Sequence, residues 1–442
     1  MGRHMWTRCV AALLAVSACG GTSPTSGDGG HGSDGPSGSG TPITVTLDAV
    51  PGDRSFYSYI AAYQDGDGAW QLAPPPENNV YTFKVNGPTW GFAYTCAVIV
   101  VTGGVATSLR DVVERHFTLS ERTTAMISLP PRCTDQGMYV ALSGNIANRV
   151  TGGGYIVTFN SRSVFADAMG NYTLLVPTGT HDLIAMHGIN GGTAGDFIAD
   201  SAFVQRNVAV NAASTQNINA QQMAGVQSFG VTVNGAASEE DAVTVLYSAG
   251  GTPATLVNLS KAPLKSEALA AGQAAAGDVY DQKINVAAIA SQPITTTTAT
   301  ATPAAQTFMG GTPLGAASVM SASAMPYPIF KTTWAAYPNA IGYTLSLNQT
   351  PPAAGCLGSS ACNITWTVVL SPGAVGASPA YTMPDLSMLT GWNKQIQFVP
   401  GTIVKGEVTA MTSSAGPMDF PAGQPAVGTT RLFAHAVFNI TP

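Results

Sequence analysis

Tyr63-Gln64-Asp65-Gly66-Asp67-Gly68-Ala69-Trp70 is the stretch from which the fold can be read. Asp-Gly between two aromatic runs predicts a hairpin, because glycine takes positive φ without steric cost. The flanking segments have period two. Ile43, Val45 and Leu47 alternate with Thr44 and Thr46, and Tyr81, Phe83 and Val85 alternate with Thr82 and Lys84. Half-buried strands give that pattern. It returns at Tyr155, Val157 and Phe159, at Phe229, Val231 and Val233, at Val243, Val245 and Tyr247, and along 432–440. The chain is therefore predicted to be all-β, built of tandem antiparallel β-sandwich domains. Three segments stay open. Residues 108–115 read as a short helix or an irregular crossing, and 294–303 as an edge strand or a loop. The Ala-rich stretch 262–277 reads as a turn or two of helix punctuated by Pro263, Gly272 and Gly277.

Charged residues make up only 10% of the 442, the net charge is −6, and there are 49 Gly and 29 Pro. Such a chain has no basic footprint for nucleic acid, and its turn-rich composition suits an extracytoplasmic β protein. The N-terminus has Arg3, His4 and Arg8, then an apolar run over 10–16, then Ser17, Ala18 and Cys19. Residues 1–18 read as a secretory signal peptide, too short to span a bilayer. A cysteine directly after the small residues resembles the lipobox of bacterial lipoproteins. The resemblance implies cleavage before Cys19, a lipid on its thiol, and membrane attachment through that lipid. Gly20, where an Asp would signal inner-membrane retention, implies the outer membrane or cell surface. The rest of 19–42 lacks large apolar residues and reads as a flexible tether, reaching roughly 25–30 Å.

Four further cysteines, Cys96, Cys133, Cys356 and Cys362, read as two disulfides in an oxidising compartment. Three pairings exist; proximity in sequence favours Cys96–Cys133 and Cys356–Cys362, the latter closing a small loop at the end of a hairpin. Their spacing fits no zinc pattern.

Composition and pattern divide the remainder at 43–139, 140–227, 228–310 and 311–442. Asp167-x-x-Gly170-x-Tyr172 and Val176-Pro177-x-Gly179-x-His181-x-Leu183 resemble the turns of the carboxypeptidase regulatory-like, or transthyretin-like, β-sandwich. That resemblance covers 140–227 apart from a glycine-rich departure at 188–195. It implies a seven-stranded spacer or binding module without catalysis. Trp334, followed by a Pro-containing turn and Tyr343-x-Leu345-x-Leu347, resembles the early strands of fibronectin type III domains. As a whole the chain resembles modular secreted bacterial lipoproteins.

No common catalytic motif occurs, and six histidines leave little raw material for a triad. His181 beside Asp182 is explained by the turn motif, and His187 lies too far along the strand to share a metal with it. His116 and His435 read as surface residues. Asp65 and Asp67 have the opening spacing of a calcium loop, but Pro76 stands where its bidentate Glu belongs. Neither catalytic residues, metal ligands nor a cofactor are expected, and nucleic acid is not expected as a partner. Trp70, Trp90, Tyr381 and Trp392 sit beside turns and are the candidates for stacking on sugar rings, whereas Trp334 and Trp366 should be core. The expected role is a non-enzymatic structural or interaction module with a protein or glycan partner; the alternatives are a carbohydrate or cell-wall glycan binder, and a hydrolase with an unrecognised site.

Overall fold

The computed structural model describes residues 39–442, except 50–56, 103–104, 131–132, 135–138, 190–195, 235–238, 261–262, 288–290, 310, 357–358 and 422–423. The residues read as signal peptide, lipidated Cys19 and tether lie outside the described residues up to 38, and the last two residues read as tether, Thr41 and Pro42, already belong to the first strand. The first region contains β1 (Thr41–Leu47), β2 (Tyr57–Asp65), β3 (Gln71–Leu72), β4 (Val80–Val85), β5 (Thr89–Thr102), β6 (Val105–Thr118) and β7 (Thr124–Ile127). The alternation read at 43–47 and 81–85 is real: Ile43, Val45, Leu47, Tyr81, Phe83 and Val85 are all buried. β1 pairs antiparallel with β4 and parallel with β7. This small sheet covers β5 and β6 through a core rich in Phe83, Trp90, Phe92, Tyr94 and Phe117.

β6 departs from expectation, since 108–115 lies inside an extended strand. Arg110, Asp111, Glu114 and Arg115 are all buried there. Charge on both faces erases the alternation that would have marked a strand. Burial pulls the Arg115 guanidinium down to about 10, against the opposing attraction of Asp48.

The second region holds β8 (Tyr139–Ala147), β9 (Gly154–Phe159), β10 (Arg162–Phe165), β11 (Asn171–Pro177), β12 (Gly179–Ile189), β13 (Phe197–Val210), β14 (Ser214–Thr215), β15 (Ile218–Asn219) and β16 (Ala224–Gly225). The sheet β11–β8–β14 faces β10–β9–β12–β13 across Leu142, Val157, Phe159, Tyr172, Leu174 and Leu183. Ahead of β11 the Asp167 carboxylate accepts the backbone N–H groups of Met169 and Asn171, both at 2.8 Å, and Gly170 takes φ +84°. Those oxygens are occupied in shaping a turn.

The third region runs through β17 (Gln227–Asn234), β18 (Glu239–Tyr247), β19 (Pro253–Leu259), β20 (Lys265–Ala268), β21 (Val279–Ala287), β22 (Ile294–Thr300) and β23 (Gln306–Met309). The Ala-rich stretch is not helical where it is ordered by pairing. β20 lies against β17, and Ala268 and Leu269 enter a core with Leu246 and Leu256. Tertiary pairing overrides alanine's helix propensity here. β22 is neither edge nor loop, because β21 and β30 flank it on both sides.

The fourth region comprises β24 (Ser318–Ser323), β25 (Ile329–Thr333), β26 (Gly342–Gln349), β27 (Ala361–Leu370), the single turn α1 (Pro372–Val375), β28 (Ala380–Thr382), β29 (Val404–Ser413) and β30 (Thr430–Ile440). β24–β25–β28 forms a sheet that covers β26, β27 and the near face of β5 and β6. Trp334 and Trp366 lie in that core, as their alternation with apolar residues predicts. Both expected disulfides, Cys96–Cys133 and Cys356–Cys362, are present.

β6 pairs in parallel with β27, which binds the first region to the fourth. Strand pairing then runs β3–β2–β5–β6–β27–β26–β29–β30–β22–β21–β18–β19–β13–β12–β9–β10. It ends at β3 on one side and β10 on the other, so the path is open. β5 and β6 consequently feed two cores, with Phe92 and Val113 on one face and Ala93 and Val112 on the other.

Candidate functional site

The hairpin after β2 is pinned by its own aspartate. Asp65 accepts the backbone N–H groups of Asn86 at 3.0 Å and Gly87 at 2.7 Å. Burial acts to raise this carboxyl, but the N–H groups of Gly87 and Asn86 outweigh it and hold the group below its ordinary value. Gly66 takes φ +56°, Gln64 donates Nε2 to the Gly68 carbonyl at 2.8 Å, and the turn delivers Trp70 half-buried beside the sheet. The aspartate with the calcium-loop spacing is thus committed to the turn.

Beneath Trp70 stands His116, their rings edge to face with centroids 5.8 Å apart. Gly91 makes room for both. A Cβ there would stand 3.0 Å from His116 Nδ1 and 3.2 Å from the Trp70 ring. His116 Nε2 lies 2.9 Å from Oε2 of Glu114, which is fully buried. The other face of that carboxylate is also occupied. Trp366 donates Nε1 to Oε1 at 2.6 Å, and Tyr381 donates its hydroxyl to Oε2 at 2.9 Å. Burial, and then the Glu114 charge, raise the Tyr381 phenol well above its ordinary value, so it remains a donor. The reading of His116 as a plain surface residue is corrected: its side chain is 17% exposed and is fixed from below by Glu114.

A depression of 320 Å³ opens over this framework. Trp70, His116 and Tyr381 line it together with the polar side chains of Gln64, Asp67 and Thr382. Three of the four aromatic candidates, Trp70, Trp90 and Tyr381, therefore converge. They do so in different states. Trp90 and Tyr381 are 1% and 6% exposed, Trp90 because the β4–β1–β7 sheet covers it and Tyr381 because it points inward from β28 onto Glu114. Trp90 donates Nε1 to the Arg122 carbonyl and packs on Phe117. Of the three, Trp70 is the least buried. Trp392 lies elsewhere, stacked on Tyr327 at 5.8 Å.

The histidines of the second region are held structurally. His187 bridges Asp200 and the Gly152 carbonyl, both at 2.8 Å. Asp182 is engaged by Arg206 at 2.8 Å and by the backbone of Asn207 and Gly250, while the His181 ring packs on Phe159. Glu114 went unnoticed in the sequence, and His116 was read only as a surface residue. Their i, i+2 spacing placed them on one strand face, a signal usable only once 105–118 is known to be extended.

No protein family model matches the chain, and no curated protein matches it. Among solved structures it aligns with a DUF3823 family protein from Bacteroides ovatus at 13% identity, covering 34% of this chain and 90% of that one, with a TM-score of 0.14. A candidate carbohydrate binding protein from Bacteroides uniformis aligns at 8% identity over 69% of this chain and 99% of its own, also at 0.14. SGBP-B of the Bacteroides ovatus mixed-linkage glucan utilization locus, solved with a mixed-linkage heptasaccharide, aligns at 11% identity over 91% and 96%, at 0.13. Superpositions at that level transfer no assignment, and the site is read from its own residues.

Proposed function

We propose that the chain is an exported, lipid-anchored bacterial surface protein that binds a saccharide without acting on it, and that the depression at Trp70 is the binding site. The observation that carries this reading is the half-buried Trp70 ring, held over His116 at the edge of a 320 Å³ depression with Gln64, Asp67 and Thr382 around it. A sugar ring presents an apolar C–H face and a rim of hydroxyls. An indole face beside short polar side chains matches both. Glu114 and His116 serve as the floor of the site: with its oxygens taken by Trp366, Tyr381 and His116, the carboxylate holds these three rings in place. Region 140–227 takes the spacer role that its carboxypeptidase regulatory-like motifs imply.

Affinity electrophoresis through gels containing mixed-linkage glucan, xylan, mannan or soluble peptidoglycan tests the reading. Retardation in at least one gel, reduced about tenfold in apparent affinity by Trp70→Ala, is expected; a tenfold loss is ~1.4 kcal/mol, within reach of one stacking ring. Migration unaffected by every polysaccharide would remove the glycan reading in favour of a protein partner. For the anchor, the intact mass of protein from its native host should show acyl mass on a chain starting at Cys19, absent from Cys19→Ala.

A further inference from the structure

Charge around the Trp70 depression is one-sided. Among the described residues its lining contains one aspartate, Asp67, and neither lysine nor arginine. The depression of 440 Å³ across β18, β21, β22 and β30 is mixed by comparison, since Asp281 shares it with Lys283 and Arg431. Two neighbouring cations stay out of the Trp70 site. Arg122, whose carbonyl holds Trp90, places its guanidinium on the Pro417 carbonyl at 2.6 Å and over the Phe117 ring at 5.4 Å. Phe117 and His116 are successive residues of β6, so they face opposite sides of the sheet. Lys331, opposite Thr382 in the β25–β28 register, is exposed and lies outside the lining. His116 sits on the Glu114 carboxylate, so the floor adds no net positive charge whichever form the imidazole takes.

The hydrogen-bonding atoms that remain lean the same way. Asp65 is consumed by the Asn86 and Gly87 N–H groups, whereas Asp67 is exposed and its carboxylate accepts none of the turn's hydrogen bonds. Gln64 spends its Nε2 on the Gly68 carbonyl, which leaves its Oε1, an acceptor. A carboxylate and an amide oxygen beside an indole suit a ligand that is rich in donors and positive in charge. An ammonium group brings three N–H donors, and the negative face of an indole attracts it. A uronic acid would bring a second negative charge to Asp67 with no cation to offset it. We infer that the Trp70 site selects saccharides bearing a free amino group, the hexosamine class in unacetylated form, with the ammonium between Asp67 and the Trp70 ring. The inference rests on the saccharide reading of this depression and narrows it.

The test is calorimetric titration of the full chain at about pH 6, where such an amine is charged. The probes are equally linked tetramers of glucosamine and of glucose, which differ only in an ammonium in place of a hydroxyl, and a tetramer of galacturonic acid. The glucosamine chain should bind about tenfold tighter than the glucose chain, the ion pair and the ring contact each contributing severalfold, and the galacturonic chain weakest. Asp67→Asn should erase most of that preference and leave the glucose chain within about twofold. Asp67 is exposed in a turn, so this change leaves the fold intact. Trp70→Ala should weaken all three. Equal affinity for the glucosamine and glucose chains, a preference that survives Asp67→Asn, or tightest binding of the galacturonic chain would each overturn the inference. Glucose binding that depends on Trp70 without any amine preference would overturn it and leave the saccharide reading standing, whereas no binding of any chain would remove both.

Discussion

Glu114 and Asp281 are both carboxylates sunk into sheet faces beside depressions, and they differ in what the chain supplies to them. Glu114 has Trp366, Tyr381 and His116 on its two oxygens. Asp281 has one oxygen that nothing reaches. The difference teaches how to sort buried charge. A satisfied carboxylate is part of the framework, and removing it strands its donors. An unsatisfied one is a standing cost, and removing it strands nothing.

The largest test of this contrast is stability. Glu114→Ala leaves a buried indole N–H and a buried phenol without their acceptor, and should cost about 3–5 kcal/mol by urea denaturation. Asp281→Asn should fall within about 1 kcal/mol of the parent, in either direction. Equal losses from the two variants would end the distinction.

The next effect separates the halves that hold the two carboxylates. All four cysteines described belong to the regions around Glu114, and 140–310 contains none. By loop-closure entropy, the Cys96–Cys133 bridge, spanning 37 residues, stabilises by about 4 kcal/mol, and Cys356–Cys362, spanning 6, by about 2 kcal/mol. Reduction should therefore raise hydrogen exchange in β5, β6 and β27 well before β18, β21 and β22. Uniform loosening would mean that the long sheet transmits the loss across the whole chain.

A smaller effect lies in pH. Burial raises the Asp281 carboxyl above 3.8 despite Lys283 and Arg431. The folded state then holds its proton more tightly than the unfolded state, so this group's contribution is full below about pH 4 and is lost as pH rises through the raised value. Asp182 is the opposite case. Burial would raise it, but Asn207, Ser248, Arg206 and Gly250 together hold it below 3.8. Its contribution is present above the unfolded value and is lost as pH falls through the folded one. Urea midpoints between about pH 3 and 7 should show Asp281→Asn gaining on the parent as pH rises. Arg206→Ala should instead flatten the loss of stability on the acid side.

The sequence made half of this legible. Alternation at 43–47 and 81–85 yielded the first sheet, and cysteine proximity yielded both bridges. It could not yield β6, where buried charges on two faces imitate no period, nor the β6–β27 pairing across some 250 residues of chain. Trp90 and Tyr381 adjoin turns, which suggested exposure; the layers that bury them come from distant segments. Asp281-Gln282-Lys283-Ile284-Asn285 did alternate, but which face is covered depends on the β20–β17–β23 sheet, which meets Gln282 and Ile284 through Ser266 and Phe308.

The finest test acts on the Trp70 side alone. A methyl at Gly91 would come within 3.0 Å of His116 Nδ1 and 3.2 Å of the Trp70 ring, contacts that side-chain adjustment of a few tenths of an ångström relieves. Gly91→Ala should therefore cost about 1 kcal/mol, at the low end for overpacking, because it meets ring ends and not backbone. It tilts Trp70 away from the geometry that faces the depression, so polysaccharide retardation should weaken severalfold. Unchanged retardation would show that the pose of Trp70 over His116 is immaterial to binding.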